Sequence, residues 1–172
     1  MDFLKYNKLE TYVNDGLQKI CDVQMKYADG YDSCEWYYSN INEALMYLDH
    51  KSWVYFIVDG DTIEKVGETG NPLGIRKTRD NYRYFEDQPI SGTRSRFGRL
   101  ARFDDATDGR IRRELKESVN KGTVSLWARK CEIKDFEVMV GGELITTKIT
   151  FHKELELQYI DKIYPRLNQC RK

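Results

Sequence analysis

Four residues bring together a phenol, an ammonium, a guanidinium and a carboxylate. Tyr55 lies in an apolar run, Lys65 lies near the end of a second run ten residues later, and Arg76 follows. Glu156 stands far along the chain, near the C-terminus. A tyrosine and a lysine on adjacent strands, an arginine on the next helix and a glutamate on a late helix could surround a phosphodiester, with cations to neutralise its charge.

The elements that must position the first three residues can be predicted from local patterns. Residues 53–58 and 62–67 are apolar runs joined by Asp-Gly at 59–60, and glycine supplies the positive φ of a tight hairpin turn. Pro72 suits a first helical position and predicts a helix to about Tyr84. This arrangement places Tyr55 and Lys65 on paired strands and Arg76 on the helix after them.

The remaining elements follow from periodicity and turn residues. Residues 1–51 are predicted to form a mostly helical N-terminal extension, because 3–26 and 41–49 have apolar residues at helical spacing. Residues 86–105 read as an irregular, arginine-rich loop. The rest of the domain spanning 52–172 is predicted as a helix from Thr107 to about Gly122, a strand at 124–133, a hairpin of 136–140 and 144–151, and a helix from Lys153 to Ile163.

Composition indicates a cytoplasmic domain. The 172 residues suffice for one hydrophobic core, and no apolar run approaches the roughly 18 residues of a membrane span. The N-terminus lacks the pattern of a signal peptide. The four cysteines form no C-x-x-C pair and the two histidines lie far apart, so reduced thiols are expected rather than a zinc site.

The net charge of zero hides an asymmetry along the chain. Residues 1–50 carry 4 Lys and Arg against 9 Asp and Glu, whereas residues 76–130 carry 15 against 8. Arginine supplies most of the basic excess, and its planar fork matches phosphate geometry. The middle of the chain is therefore a candidate surface for a polyanion, with a solvated helical surface of scattered ion pairs as the alternative.

The motifs and the element order resemble the GIY-YIG nuclease superfamily over roughly residues 52–168. Val54-Tyr55 stands at the "GIY" position, with Trp53 in place of the glycine, and Lys65-Val66-Gly67 stands at "YIG", with lysine in place of tyrosine. The resemblance implies an α+β fold with a small three-stranded antiparallel sheet flanked by helices. It also implies hydrolysis of phosphodiester bonds.

Three further segments are similar to the branch of phage endonuclease II and related type II restriction endonucleases. They are Asn81-Tyr82-Arg83 at the end of the first helix, Arg110 at the start of the second, and Ala128-Arg129-Lys130-Cys131 at a strand end. A hairpin before the glutamate helix completes the similarity. This branch would place the protein in a bacterial or phage-infected cell.

The resemblance implies a role for each matching residue. Glu156 would bind Mg²⁺ or Mn²⁺, Gly67 and Asn168 would be structural, and the catalytic set would be Tyr55, Lys65, Arg76, Tyr82 and Glu156. Arg79 lies one helical turn from Arg76 and could be the true equivalent of the family's arginine. Many members have histidine or tyrosine at the position of Asp80, and Tyr82 is the nearest candidate for that role. Phosphate and DNA contacts are expected from Arg79, Arg94, Arg96, Arg99, Arg102 and Arg110.

These features predict a divalent-metal-dependent endonuclease that cuts double-stranded DNA, of restriction or phage DNA-degrading type. A catalytically weak nucleic-acid-binding protein that keeps the fold, and a DNA-repair nuclease, are the alternatives. One site with one glutamate cuts one strand, so a homodimer or higher homo-oligomer is expected. The acidic N-terminal extension would be its available contact surface.

Overall fold

The computed structural model describes residues 6–27, 34–75, 95–102 and 106–169. These residues form an α+β fold built on antiparallel sheets. The strands are β1 (Gln18–Tyr27), β2 (Cys34–Ser39), β3 (Trp53–Asp59), β4 (Thr62–Thr69), β5 (Val124–Lys130), β6 (Ile133–Val140) and β7 (Glu143–Thr150). The helices are α1 (Glu43–Met46), α2 (Arg96–Arg102), α3 (Ala106–Glu114), α4 (Lys116–Asn120) and α5 (His152–Ile163).

Five of the strands form one antiparallel sheet in the order β2-β1-β5-β3-β4, and β6 pairs with β7 in a separate sheet. β3 lies inside the large sheet and is apolar along its length, because both of its faces are buried. β4 is an edge strand, so one side of its backbone remains available to other partners.

Successive residues of β3 belong to two different hydrophobic cores. Tyr55 and Ile57 pack with β1, β2, α2 and α3 on one face of the sheet. Val54, Phe56 and Val58 pack with α5 on the other face. The residues of β4 that pair with Tyr55 or Ile57 therefore face α2 and α3, and those that pair with Val54 or Phe56 face α5.

Most of the predicted elements are confirmed. The Asp-Gly hairpin of β3 and β4, the strand β5, the hairpin of β6 and β7, and the helix α5 lie where the sequence placed them. The helix predicted from Thr107 to about Gly122 is present as α3 and α4, interrupted at Leu115. Its apolar positions Ile111, Leu115 and Val119 are buried as expected.

The prediction of a mostly helical N-terminal extension is wrong except for the short helix α1 within 41–49, and the prediction of a three-stranded sheet is wrong as well. Residues 18–39 contribute β1 and β2, and β1 pairs with β5. The β1–β5 pairing is irregular between Lys19 and Cys21, and both Ile20 and Cys21 are buried. Two consecutive inward residues at a bulge imitate the spacing of a helical face, which explains the error.

Two further predictions differ from the structure. The segment 86–105 contains the helix α2, so it is not an irregular loop throughout. Residues 72–75 are not helical, and the rest of the helix predicted to Tyr84 lies outside the described residues. Within the described parts of the chain, no helix is long and apolar enough to cross a membrane.

Strand β2, from the N-terminal region, contacts the core on the side of the sheet that carries Tyr55. The Tyr38 hydroxyl donates a hydrogen bond of 2.6 Å to the carbonyl of Phe97 in α2. The Phe97 ring in turn meets the Tyr55 ring edge to face, with 5.9 Å between the centroids. The N-terminal strands therefore help to place α2 against Tyr55.

Replacement of Trp36 by alanine should destabilise the whole protein, because this β2 side chain is buried in the main core. Loss of a buried tryptophan costs about 3–5 kcal/mol. Urea unfolding measures the effect, and Glu35→Ala on the exposed neighbouring position serves as the control. A cost for Trp36→Ala no larger than that of the control would show that β2 is dispensable to the fold.

Candidate active site

Tyr55 and Gly67 form the centre of the candidate site. They are direct partners across β3 and β4, and the Tyr55 ring lies over the glycine. A Cβ atom at position 67 would be 2.3 Å from both the ring Cζ and the hydroxyl oxygen. Position 67 must therefore be glycine for the Tyr55 ring to keep this orientation.

The Tyr55 hydroxyl is held by an arginine from α2. Arg96 Nε donates a hydrogen bond of 3.0 Å to the phenol oxygen, and its guanidinium also forms two bonds of 3.0 and 2.6 Å with the carboxylate of Asp108. Asp108 is buried. The arginine is thus fixed by a bidentate ion pair and can orient the phenol.

Burial raises the pKa of Tyr55 to about 12, although the neighbouring Arg96 opposes this shift. The phenol is therefore protonated at neutral pH. Because its oxygen already accepts a bond from Arg96, its own proton remains free to donate to a water molecule or a phosphate oxygen.

Lys65 lies on the same face of β4 as Gly67, two residues before it. The residue is buried, and burial lowers the pKa of its ammonium, whereas the carboxylate of Glu156 raises it. Among the described side chains, none forms a hydrogen bond or ion pair with Lys65. A buried ammonium without a partner is unfavourable for stability and is characteristic of functional sites.

Glu156 reaches the site from α5 and is half-buried. Burial raises the pKa of its carboxyl group, the charge of Glu68 raises it further, and Lys65 lowers it. Within the described ranges, no basic side chain forms a direct ion pair with Glu156. Lys65 is the described cation that lowers the pKa of this carboxyl group.

The exposed edge of β4 determines where the C-terminal segment docks. Asn168 accepts a hydrogen bond from the Val66 N–H through Oδ1 and donates one to the Val66 carbonyl through Nδ2, both at 2.8 Å. Residues 66 and 68 present their backbone groups to the same edge. The Glu68 backbone bonds to the Glu156 carboxylate, which favours the charged form of that carboxylate.

Polar contacts among Ser52, His152 and Glu68 fasten the start of α5 to β4. His152 Nδ1 lies 3.0 Å from the Ser52 hydroxyl, and its Nε2 lies 3.2 Å from the Glu68 carboxylate. His152 precedes Glu156 by one helical turn, so the two side chains lie on the same face of α5. These contacts hold the turn of α5 that carries Glu156 next to the edge strand β4.

Sequence reasoning missed Asp108, Glu68 and His152 as parts of this site. The i, i+4 spacing of His152 and Glu156 was a usable signal for a shared helix face. No comparable signal linked Glu68 or Asp108 to the site, because their contacts are made between elements distant in sequence.

The predicted phosphate-binding arginines have different environments. Arg96 lies in α2 and not on an open loop, and its guanidinium is bound by Asp108 and Tyr55. Arg110 donates a bond of 2.6 Å to the Leu167 carbonyl and lines a surface cavity of about 380 Å³. Arg99 is half-buried on α2, and Arg102 ends that helix. The predicted residues Arg76, Arg79, Tyr82 and Arg94 lie outside the described residues.

The part of the chain that the structure describes contains no group of three His, Cys, Asp or Glu side chains arranged to hold a metal ion. A Mg²⁺ site needs fewer protein ligands, since this ion keeps several waters and binds through one or two carboxylates together with substrate phosphate. Glu156 fits such a site. It is a half-buried carboxylate repelled by Glu68 and without a direct cationic partner in the described ranges.

Comparison with known proteins identifies the fold but no family. No protein-family model matches the sequence, and no curated protein matches it. The structure of a mutant of bacteriophage T4 EndoII is similar to this chain with a TM-score of 0.56 and 15% identity, covering 94% of this chain and 99% of the phage protein. The restriction endonuclease HPY188I in complex with product DNA gives a TM-score of 0.45 and 13% identity, covering 99% of this chain and 90% of that one. The likeness to EndoII shows a shared nuclease fold, and membership of the GIY-YIG superfamily is not confirmed by a family model.

Gly67→Ala should destabilise the protein through the Tyr55 ring. Overpacking of this kind costs about 1–3 kcal/mol. The cost should be much smaller in a Tyr55→Ala background, where the added methyl group has room, so the two changes should be strongly non-additive. Urea unfolding of the four proteins in this cycle measures the coupling.

The control is Gly70→Ala, since a Cβ atom there would meet its nearest neighbours at 3.9 Å, an ordinary contact. This change should be tolerated. Equal costs for Gly67→Ala in the two backgrounds would contradict the contact between the ring and the glycine.

The pKa of Glu156 should respond to its two charged neighbours in opposite directions. Glu68→Gln removes a negative charge and should lower the pKa, whereas Lys65→Met removes a positive charge and should raise it. An NMR titration of the side-chain carboxyl carbons in metal-free protein measures both shifts. Glu154→Gln, an exposed position on the same helix, should leave the pKa unchanged.

Proposed function

We propose that the protein is a divalent-metal-dependent DNA endonuclease of the restriction or phage DNA-degrading type. Two observations support this proposal. The chain shares its fold with a phage endonuclease. The phenol, ammonium and carboxylate that the sequence predicted come from β3, β4 and α5, and the charge of Glu156 acts on both Tyr55 and Lys65.

The environment of Lys65 is the observation that carries the proposal. A buried lysine costs stability, and this one has no partner among the described side chains while it senses the charge of Glu156. An anionic substrate would supply such a partner. A phosphodiester is an anion that a lysine and an arginine can clamp while charge develops in the transition state.

In this proposal the Tyr55 hydroxyl contacts the water molecule that attacks the phosphate. With a pKa of about 12, the phenol is a weak general base, and its deprotonation would require further positive charge near it. In its protonated form it can orient the water by hydrogen bonding. Arg96 is then a positioning residue, because its ion pair with Asp108 fixes the guanidinium that holds the phenol.

Glu156 is the proposed metal ligand, with Mg²⁺ or Mn²⁺ as the ion. When bound there, the cation would neutralise charge on the phosphate and assist the leaving group. Lys65 would bind the phosphate from the adjacent β4 position. Burial raises the pKa of Glu156, and the backbone bond from Glu68 opposes this shift and fixes the carboxylate at the strand edge.

The remaining roles are proposed from the sequence. Arg76, or Arg79 one helical turn later, would clamp the scissile phosphate, and Tyr82 would bind it as well. Arg94, Arg99, Arg102 and Arg110 would contact DNA phosphates. Concerted cutting of both antiparallel strands requires two sites related by a two-fold axis, so the active species is proposed to be a homodimer.

A DNA-binding protein without cleavage is the second candidate. The raised pKa of Tyr55 favours it, because a phenol that resists ionisation is poorly suited to activate water. A DNA-repair nuclease is the third possibility, and it differs in requiring branched or damaged substrates.

Incubation with plasmid DNA and Mg²⁺ or Mn²⁺, followed by sequencing of the ends, separates these functions. Cuts at discrete sequences would identify restriction activity, and dispersed ends would identify the degrading type. Cleavage limited to branched or damaged DNA would identify repair. Binding without any cleavage in either metal would overturn the endonuclease proposal.

Glu156→Gln should abolish cleavage and leave DNA affinity nearly unchanged, because it removes the proposed metal-binding carboxylate without adding a charge. Glu154→Gln is the matched control on the same helix and should cleave normally. A plasmid assay and a fluorescence-anisotropy titration measure the two properties. Cutting by Glu156→Gln at the wild-type rate, or by the wild type in excess EDTA, would refute the assignment.

A further inference from the structure

Lys65 has two properties that phosphate binding alone does not require. It is only 8% exposed, and no side chain in the described ranges forms a hydrogen bond or ion pair with it. A lysine binds phosphate as a point charge, and an exposed lysine supplies that charge without the cost of burial. Burial instead disfavours the charged form and lowers the pKa of Lys65. A larger share of this side chain is therefore the free amine, which is a nucleophile.

Two groups with complementary proton chemistry lie near this amine. The Tyr55 hydroxyl lies over Gly67, because a Cβ atom at that position would be 2.3 Å from it. Gly67 and Lys65 are on the same face of β4, about 7 Å apart along the strand. Glu156 is half-buried, and its charge acts on both Lys65 and Tyr55. One site therefore combines an amine, a phenol and a carboxylate.

This combination suits the condensation of an amine with an aldehyde. Lysine forms Schiff bases with carbonyl carbon atoms, and the reaction needs an acid that protonates the oxygen leaving as water. Burial raises the pKa of Tyr55 to about 12, so the phenol carries a proton for this step. The Glu156 carboxylate can accept a proton from the carbon next to the resulting iminium, which withdraws electrons from that carbon.

The charges near Lys65 indicate which aldehyde. Arg96 and Arg110 both lower the pKa of Lys65. Arg96 is paired with Asp108, whereas Arg110 donates to a backbone carbonyl, which is a neutral acceptor. Positive charge beside the amine favours an aldehyde that carries phosphate groups over a neutral one.

The sugar of an abasic site in DNA meets this requirement. Its ring-opened form has an aldehyde at C1′ and lies between two phosphodiesters. Because it lacks a base, it can also enter a narrower recess than an intact nucleotide, which matters for an amine as buried as that of Lys65.

We propose that Lys65 is the nucleophile of a second activity, the metal-independent cleavage of DNA at abasic sites. Lys65 Nζ forms a bond to C1′, and the former carbonyl oxygen leaves as water. Glu156 then takes a proton from C2′, the electron pair of that C–H bond forms the C2′–C3′ double bond, and the bond from C3′ to its phosphate oxygen breaks. The phosphate leaves with the bonding pair. Water hydrolyses the iminium, which releases an unsaturated aldehyde and restores the lysine.

This inference rests on the proposed function only for the premise that DNA reaches the site. The two reactions break different bonds, since hydrolysis of a phosphodiester breaks a P–O bond and elimination breaks a C–O bond. Elimination uses no oxidant, reductant or divalent cation. Excess EDTA therefore separates it from the proposed endonuclease activity.

Borohydride trapping in excess EDTA tests the imine. The substrate is a duplex oligonucleotide with one abasic site, made by enzymatic removal of a uracil, and the untreated uracil duplex is the control. Wild type should form a covalent protein–DNA band with the abasic duplex alone, and peptide mass spectrometry should place the reduced adduct on Lys65. Absence of the band, or an adduct on another lysine instead, would overturn the proposal.

Lysine variants provide the matched comparison. Lys65→Arg keeps the charge but cannot form an imine, so the band should be lost while the circular dichroism spectrum is unchanged. Lys153→Arg changes an exposed lysine of α5 and should keep the band. The peptide map of the wild-type adduct decides the assignment even if Lys65→Arg does not fold.

Glu156→Gln separates imine formation from elimination. The band should persist, because the charge of Glu156 raises the pKa of Lys65 and its removal favours the free amine. Strand cleavage without borohydride should be lost, whereas Glu154→Gln should retain both properties. Cleavage of the abasic duplex by Glu156→Gln at the wild-type rate would refute the role of this carboxylate.

The outcomes for the two activities are distinguishable. Wild type that cuts intact plasmid with Mg²⁺ but forms no adduct overturns the abasic-site activity alone. Wild type that forms the Lys65 adduct but leaves intact plasmid uncut in either metal overturns the endonuclease alone.

Discussion

The unpaired backbone edge of β4 is the constraint on which the candidate site depends. An edge strand must be covered or paired, because its free N–H and carbonyl groups otherwise invite other chains. Here Asn168 takes both backbone groups of Val66, and the Glu68 backbone bonds to Glu156. The C-terminal segment is thus positioned by backbone hydrogen bonding. The same contacts that cover the edge bring a carboxylate beside Lys65.

The other side of the site is positioned from the N-terminal half of the chain. Tyr38 in β2 bonds to the backbone of α2, and α2 supplies the arginine that holds the Tyr55 phenol. The ion pair of Arg96 with Asp108 joins α2 to α3. A series of contacts therefore runs from Tyr38 through α2 and Arg96 to the Tyr55 phenol. Because each contact fixes the next, the orientation of the phenol tolerates little local change.

The sequence by itself determined the hairpins, β5 and α5, because these depend on local turn chemistry and periodicity. Short motifs predicted Tyr55, Lys65, Gly67 and Glu156 as site residues. Sequence reasoning misassigned β1, where a bulge makes two consecutive residues face inward and imitates a helical period. Only the tertiary structure revealed the contacts of Asp108, Glu68 and His152, and the role of Arg96. Their partners lie 12 to 100 residues away, and no local pattern records which strand edge or helix they will meet.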